Sequence, residues 1–356
     1  MDLLLLDKNF QICGIIDDFA SLVWNRKYYE CGSFTLQTKL EKYNDIKNAK
    51  YIYCKDFVET GVIEAIKIQD SNNIVETSGR FLESILSKRV INTTKSFKNK
   101  TTEDIVRSLI TDLAINDTTR KIDKLKLGEI QGLGTSRTVQ MTGDNLLTKI
   151  YELCKEDELS IRVRYDFDNN EIVADVWQGL DRVDTQNINT WAIFSKNFEN
   201  VTDSTYNTDE TKYCNFAYVE GEVEDKDGNK QRKSTTIDRI KEGEERIELY
   251  VDARDLQKDE DTTDSEYMEM LKERGIEKLN ENNKVEEASF SIDPYSNLIY
   301  KTDFDLGDKV VYKNAELGFN IENRIVEISE AYENGDRTID ITFGDSYNLK
   351  KIKEVV

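Results

Sequence analysis

The chain has 356 residues, with 49 Lys and Arg against 70 Asp and Glu, for a formal net charge of −21 at pH 7. Such a charge repels nucleic acid and anionic membrane at long range, so neither is expected as a specific partner. The length exceeds one ordinary core, so two to four domains are expected, and 38% apolar with 10% aromatic residues argues against disorder.

In chain order, residues 1–60 read as several strands. Leu3 to Leu6 runs to a turn at Asp7, Lys8 and Asn9, and Phe10, Ile12, Ile15 and Ile16 follow. Residues 21–25 and 33–38 read as a strand pair joined through Gly32, and 51–54 with Phe57 and Val58 continue the β pattern. Residues 61–77 predict a hairpin turning at Asp70 to Asn73, because Asn and Asp tolerate the backbone that tight turns need. Phe81, Leu82, Ile85, Leu86 and Val90 then have helical spacing, with Gly79 at the junction.

Residues 93–100 read as a polar connector. Thr101 is a candidate helix N-cap with Asp104 three positions on, and Ile105, Leu109, Ile110 and Leu113 supply an apolar face. Gly128, Gly132 and Gly134 mark a loop. A second helix is expected from about Gly143, and a hairpin over 160–177 turns at Asp166 to Asn170. Beyond residue 190, strands are expected at 213–222, 234–237 and 246–251, with a hairpin turn at Asp225 to Asn229. An acidic loop at Asp259, Glu260 and Asp261 precedes a helix over 263–282. Strands at 288–292, 309–312, 320–329 and 337–343 close the chain, the last two joined by a turn at Glu333 to Asp336. No short-period repeat is present, so a solenoid is not expected. The fold class is α+β and β-rich.

Histidine is absent. This excludes Ser-His-Asp and Cys-His catalysis, His-ligated zinc and histidine pH switching. Cys13, Cys31, Cys54, Cys154 and Cys214 are odd in number and form no C-x-x-C pair. They read as small apolar residues in a reducing compartment, not as a disulfide framework or a zinc site. No basic leader precedes the N-terminal leucines, and no run approaches the ~20 apolar residues of a membrane span. Synthesis in the cytoplasm without membrane insertion is expected. Pro294 is the single proline, so no Pro-rich linker exists.

Asp303, Asp305 and Asp308 could supply calcium ligands, but their spacing fails the EF-hand pattern, and a turn before a strand explains them better. The same holds for Asp166 and Asp168. Asp252, Arg254 and Asp255 read as a salt-bridged turn. Gly132 and Gly134 are too short a motif for a phosphate loop. Trp24, Trp177 and Trp191 read as core or interface anchors. Glycoside hydrolysis needs two carboxylates about 5–10 Å apart, and no pair stands out among so many acids. No catalytic, cofactor-binding or metal-binding residue is assigned.

Several stretches carry a resemblance. They are Arg26 to Leu36, the Val62-Ile63-Glu64 hairpin followed by Ser78-Gly79-Arg80-Phe81-Leu82, and Gly179-Leu180-Asp181-Arg182. Phe194 to Val201, Tyr213 to Gly221, Glu248 to Asp255, Tyr300 to Asp308 and Thr342-Phe343-Gly344 complete the series. In order and spacing they resemble the tail-hub proteins of tailed bacteriophages and phage-tail-like particles, across nearly the whole chain. The resemblance implies two tube-like antiparallel β-barrel domains, 1–95 and 291–356, flanking two α+β domains, 96–190 and 191–290. It implies a homotrimer forming a pseudo-sixfold ring that caps the tail tube. Its other partners would be the tube or distal tail protein, tip or spike and other baseplate proteins, and the tape measure. A non-enzymatic structural role follows, with the tail tip as mature location. The alternatives are a tail-associated peptidoglycan hydrolase using a carboxylate pair and a metal-binding adhesin. A negative lumen would keep passing DNA from adhering. Many such proteins carry C-terminal extensions. This chain stops about a dozen residues past Gly344, so wall-degrading or receptor-binding activity is expected on a separate chain.

Overall fold

Strict alternation of buried and open residues along Ser21–Lys27 and Ser33–Lys39 gives two strands with one apolar face each, paired antiparallel. The computed structural model describes residues 1–224, 229–258, 262–292, 296–316, 318–333 and 335–344. The expected hairpin forms between Ala65–Gln69 and Ile74–Arg80, and Asn73 takes the left-handed backbone at φ 55°. Opposite lies a second sheet in the order Ile12–Ile16, Leu3–Leu6, Tyr51–Tyr53, Gly61–Val62. Leu3, Leu5, Ile52, Trp24, Phe34 and Val75 meet between the two sheets. Phe57 and Val58 are not in a strand, and Ile12 and Ile15 are exposed.

Gly79 lies inside the strand Ile74–Arg80, not at a helix junction. A Cβ there would sit 1.9 Å from the Val62 carbonyl oxygen, so only glycine lets the two strands approach this closely. Gly79→Ala is expected to cost about 1–3 kcal/mol through the forced backbone shift. A thermal melt that does not move would contradict this. The helical spacing after Gly79 yields a 3₁₀ helix, Leu82–Lys88, because its side chains serve two cores. Phe81 enters the first unit's core, Leu82, Ile85 and Leu86 enter the next, and Val90 is exposed.

Lys95–Thr101, expected as a connector, is a strand paired antiparallel with Ser136–Met141. It is mostly polar because it buries neither face fully. Thr101 caps the helix Thr102–Ile110 by accepting from the Asp104 N–H. The second helix, Leu146–Glu156, starts at the N-cap Asn145. Both pack on the hairpin of Ser160–Asp166 and Glu171–Trp177 through Ile105, Leu109, Ile150, Val163 and Ile172.

Val201–Asp209 is a strand that the sequence reading misses, since Thr, Asp, Ser and Asn dominate it. It pairs with Val285–Ile292, which pairs in turn with Asp336–Gly344. The expected boundary at 290/291 therefore cuts a strand. Residues 210–284 instead form their own layer. A sheet ordered Lys230–Asp238, Phe216–Glu224, Glu248–Asp252 is covered by the helix Asp264–Glu281, and Thr263 and Glu266 form a capping box. Val219, Val251, Tyr267, Met270 and Leu271 are its core. The expected turn at 225–229 falls largely on residues outside the described ones, as do the acidic loop at 259–261 and residue 334 of the final turn.

The β-rich ends were expected as two barrels. The sheets are open instead, and among the described residues no strand order returns on itself. A single sheet runs Val201–Asp209, Val285–Ile292, Asp336–Gly344, Phe319–Glu333, Ser21–Lys27, Ser33–Lys39, Ile74–Arg80, Ala65–Gln69. Lys309–Asn314 and Ile193–Phe194 attach to Phe319–Glu333 off this path.

Candidate functional site

The first and last β units meet where Ser21–Lys27 pairs antiparallel with Phe319–Glu333, from Ser21 opposite Glu333 to Lys27 opposite Glu327. Strand alternation puts Arg26 and Glu330 on the apolar face at this joint, 4% and 0% exposed. Arg26 donates to Glu59 at 2.7 Å, to the Tyr300 hydroxyl at 2.8 Å and to Asp305. Tyr300 donates onward to Glu330 at 3.0 Å, which also accepts from Tyr332 and from Arg337 at 2.6 Å. Burial opposes the Arg26 charge, but Glu59, Tyr300 and Asp305 outweigh it and raise its pKa well above the ordinary value. Burial also pushes the Tyr300 phenol up, so it stays protonated and donates. The joint is thus an apolar sheet face interrupted by one hydrogen-bonded ionic cluster that fixes its register.

The opposite face of the sheet is polar. One row crosses seven strands as Asp203, Ser291, Asp340, Ser329, Asn25, Ser33 and Arg80. Another runs Asp336, Glu333, Ser21, Gln37, Glu76 and Lys67. Carboxylates outnumber cations on this face, and the small hydroxyl residues between them leave it smooth.

The helix of residues 264–281 is tied to that of residues 146–156 by Lys149, which meets Glu152 at 2.7 Å and Glu277 at 2.8 Å. Arg137 contacts Glu156, and Asp157 at 2.9 Å. Burial pushes the Glu156 carboxyl up to about 7, Arg137 pulling the other way. A cleft of about 470 Å³ opens beside this interface, lined by Tyr29, Glu30, Cys31, Tyr151, Glu152 and Glu158 among others.

Of the carboxylates singled out in the sequence, Asp166, Asp252, Asp255, Asp303, Asp305 and Asp308 are held in structural contacts. Asp305 binds Arg26. Asp308 accepts from the Leu180 N–H and the Arg182 Nε, both at 2.7 Å, and joins the two motifs that carry the resemblance. Gly179 packs there so closely that a Cβ would lie 2.0 Å from the Gly307 oxygen. Asp303 accepts from the Ile299 N–H, and Asp166 from the Asn169 N–H within its turn. Asp252 pairs with Arg254, and Asp255 with Arg274. Gly132 and Gly134 sit in a loop. Trp24 is buried, whereas Trp191 is 47% exposed. Cys54 and Cys154 are buried and Cys13 is exposed. Sequence reasoning quoted Arg26 only within a motif and missed its buried role with Glu59 and Glu330, and the polar sheet face, because nothing local marks one charge among so many.

Residues 2–345 match the protein family described as Siphovirus ReqiPepy6 Gp37-like protein. The chain belongs to this family. No curated protein matches the Gp37-like chain. Among solved structures, the Gp37-like chain is similar to prophage tail protein gp18 from Listeria monocytogenes, at 15% identity and a TM-score of 0.58, covering 99% of this chain and 98% of that one. The 43 kDa tail protein of prophage MuSo2 from Shewanella oneidensis gives 12% identity and a TM-score of 0.55, covering 96% and 98%. A tail protein from Neisseria meningitidis gives 9% and 0.59, covering 97% and 96%. At these identities the likeness is one of fold, and it spans the Gp37-like chain nearly end to end. Among the described residues no helix is long and apolar enough to cross a membrane.

Proposed function

We propose that this protein is a structural hub at the distal end of a phage tail or tail-like particle. Three copies form a ring of pseudo-sixfold symmetry that caps the tail tube and joins it to the tip. The observation that carries this reading is the joint at Arg26 and Glu330. Two unlike β units share one sheet of alternating strands, with an acidic polar face and two unlike open ends. Such a protomer suits a head-to-tail ring, in which each copy buries two different surfaces. Three copies bring about 24 strands, enough for a ring roughly 40–50 Å across at the backbone.

In this ring the polar face lines the passage and its carboxylates repel DNA moving through. Functionally the chain divides into a first β unit, an α+β unit and a last β unit that carries residues 210–284 as an insertion. The protein acts without catalysis. It meets the tube or distal tail protein on one side, tip or spike proteins on the other and the tape measure at the passage, and it resides in the virion tail tip after cytoplasmic synthesis.

Electron microscopy of complexes recovered by a tag on this chain tests the reading. Averages with three copies in a ring at a tube end are expected. Discrete particles without tube or ring, together with glycan cleavage by the isolated chain, would replace the hub with the hydrolase.

A further inference from the structure

The two ends of the eight-strand path are edge strands, with no further strand paired to their outer side among the described residues. Ala65–Gln69 is an edge strand whose Ile66 and Ile68 are 38% and 46% exposed. Both lie on the apolar side of the sheet. Ile66 stands opposite Thr77 and Ile68 opposite Val75, and those residues face Leu36 and Thr38, all buried. The core row therefore runs one strand past the core, leaving two exposed isoleucines in register with no described residue paired beyond them. The other end, Val201–Asp209, is a nine-residue edge. By alternation it carries Ser204, Tyr206 and Thr208 on the apolar side, and Asp203 and Thr205 on the polar side.

Two of the usual edge protections are missing, although Lys67 and Asp203 bring charge to the edges and the pairing of Val201–Asp209 shifts register between Val201 and Asp203. The single proline lies in neither strand, and no charged side chain points inward from the apolar side. The directions also match. All seven pairings along the path are antiparallel, so the eighth strand runs opposite to the first. A rotated second copy thus offers its first strand antiparallel to this copy's last, as at every joint within the chain. Charge agrees with the pairing of unlike edges. Lys67 stands on the polar side of one edge and Asp203 on the polar side of the other.

We infer that Ala65–Gln69 of one copy pairs antiparallel with Val201–Asp209 of the next, burying Ile66 and Ile68. This deepens the ring reading and rests on it. The occupant is a second copy of this chain, and the joint is an intermolecular counterpart of the one at Arg26.

Two variants of the full chain test the joint. One is Ile66→Lys/Ile68→Lys. The other is Asp203→Lys/Thr205→Lys, which sets like charges against Lys67. The altered residues of both are solvent-exposed, and a thermal melt close to the parent's checks that each variant folds. Each alone is expected to lose the ring and run as a monomer by native mass spectrometry. Mixed, they are expected to give a one-to-one dimer, because each retains the edge that the other needs. A ring that survives in the isoleucine variant overturns the joint and leaves the ring reading standing. Self-dimers of either variant would point to pairing of like edges and overturn it as well. A parent chain that neither self-associates nor occurs in several copies per isolated tail overturns the ring and the joint together.

Discussion

Arg26→Met is expected to destabilise the protein by about 3–5 kcal/mol, the range for breaking a buried ion pair by removing one partner. The volume changes little, so packing does not account for the loss. Glu59 keeps its place on the apolar side without its cation, the Tyr300 hydroxyl loses its donor, and Asp305 loses its contact across the joint. Arg26→Met/Glu59→Gln is expected to lose less than Arg26→Met alone, because the orphaned carboxylate is gone. Urea unfolding of both variants gives the comparison. A single-variant loss under about 1 kcal/mol, the scale of a surface pair, would mean that the cluster does not hold the joint.

A second large effect concerns Glu83, in the first turn of Leu82–Lys88 and 6% exposed. One carboxylate oxygen accepts from the Val163 N–H at 3.2 Å, and the other has no hydrogen-bond partner. Burial pushes its carboxyl up to about 7, the backbone bonds and Arg162 pulling the other way. The folded chain thus holds this proton more tightly than the unfolded chain does. The stability so gained is present below the unfolded carboxyl range near 4.5 and is lost as pH rises through about 7. Glu83→Gln imitates the protonated form. It is expected to be nearly neutral at pH 4.5 and to stabilise at pH 8 by on the order of 3 kcal/mol. Unfolding midpoints of both proteins across that pH range decide the matter. Equal differences at the two ends would show that Glu83 does not titrate between them.

Much of the local structure was legible because it rests on neighbours in the chain. Asn73 and Asn170 mark tight turns, Thr101 and Thr263 cap helices, and the 160–177 hairpin alternates cleanly. Where one segment serves two cores, as at Phe81 and Leu82, the period misled. Where a strand faces water on one side and lies at an edge, as at Val201–Asp209, no apolar signal existed to read.

The sequence by itself determined that histidine chemistry is excluded, that the chain is acidic and β-rich, and that motifs from Arg26 to Gly344 resemble one family of tail proteins. Only the tertiary structure decided that Glu330 lies opposite Trp24, that one sheet joins the two ends of the chain, and that its outer edges stand open. The physical reason is that turns and caps are set by contacts a few residues apart. Sheet order and buried ion pairs are set by partners some 300 residues away, and no local propensity encodes which partner is chosen.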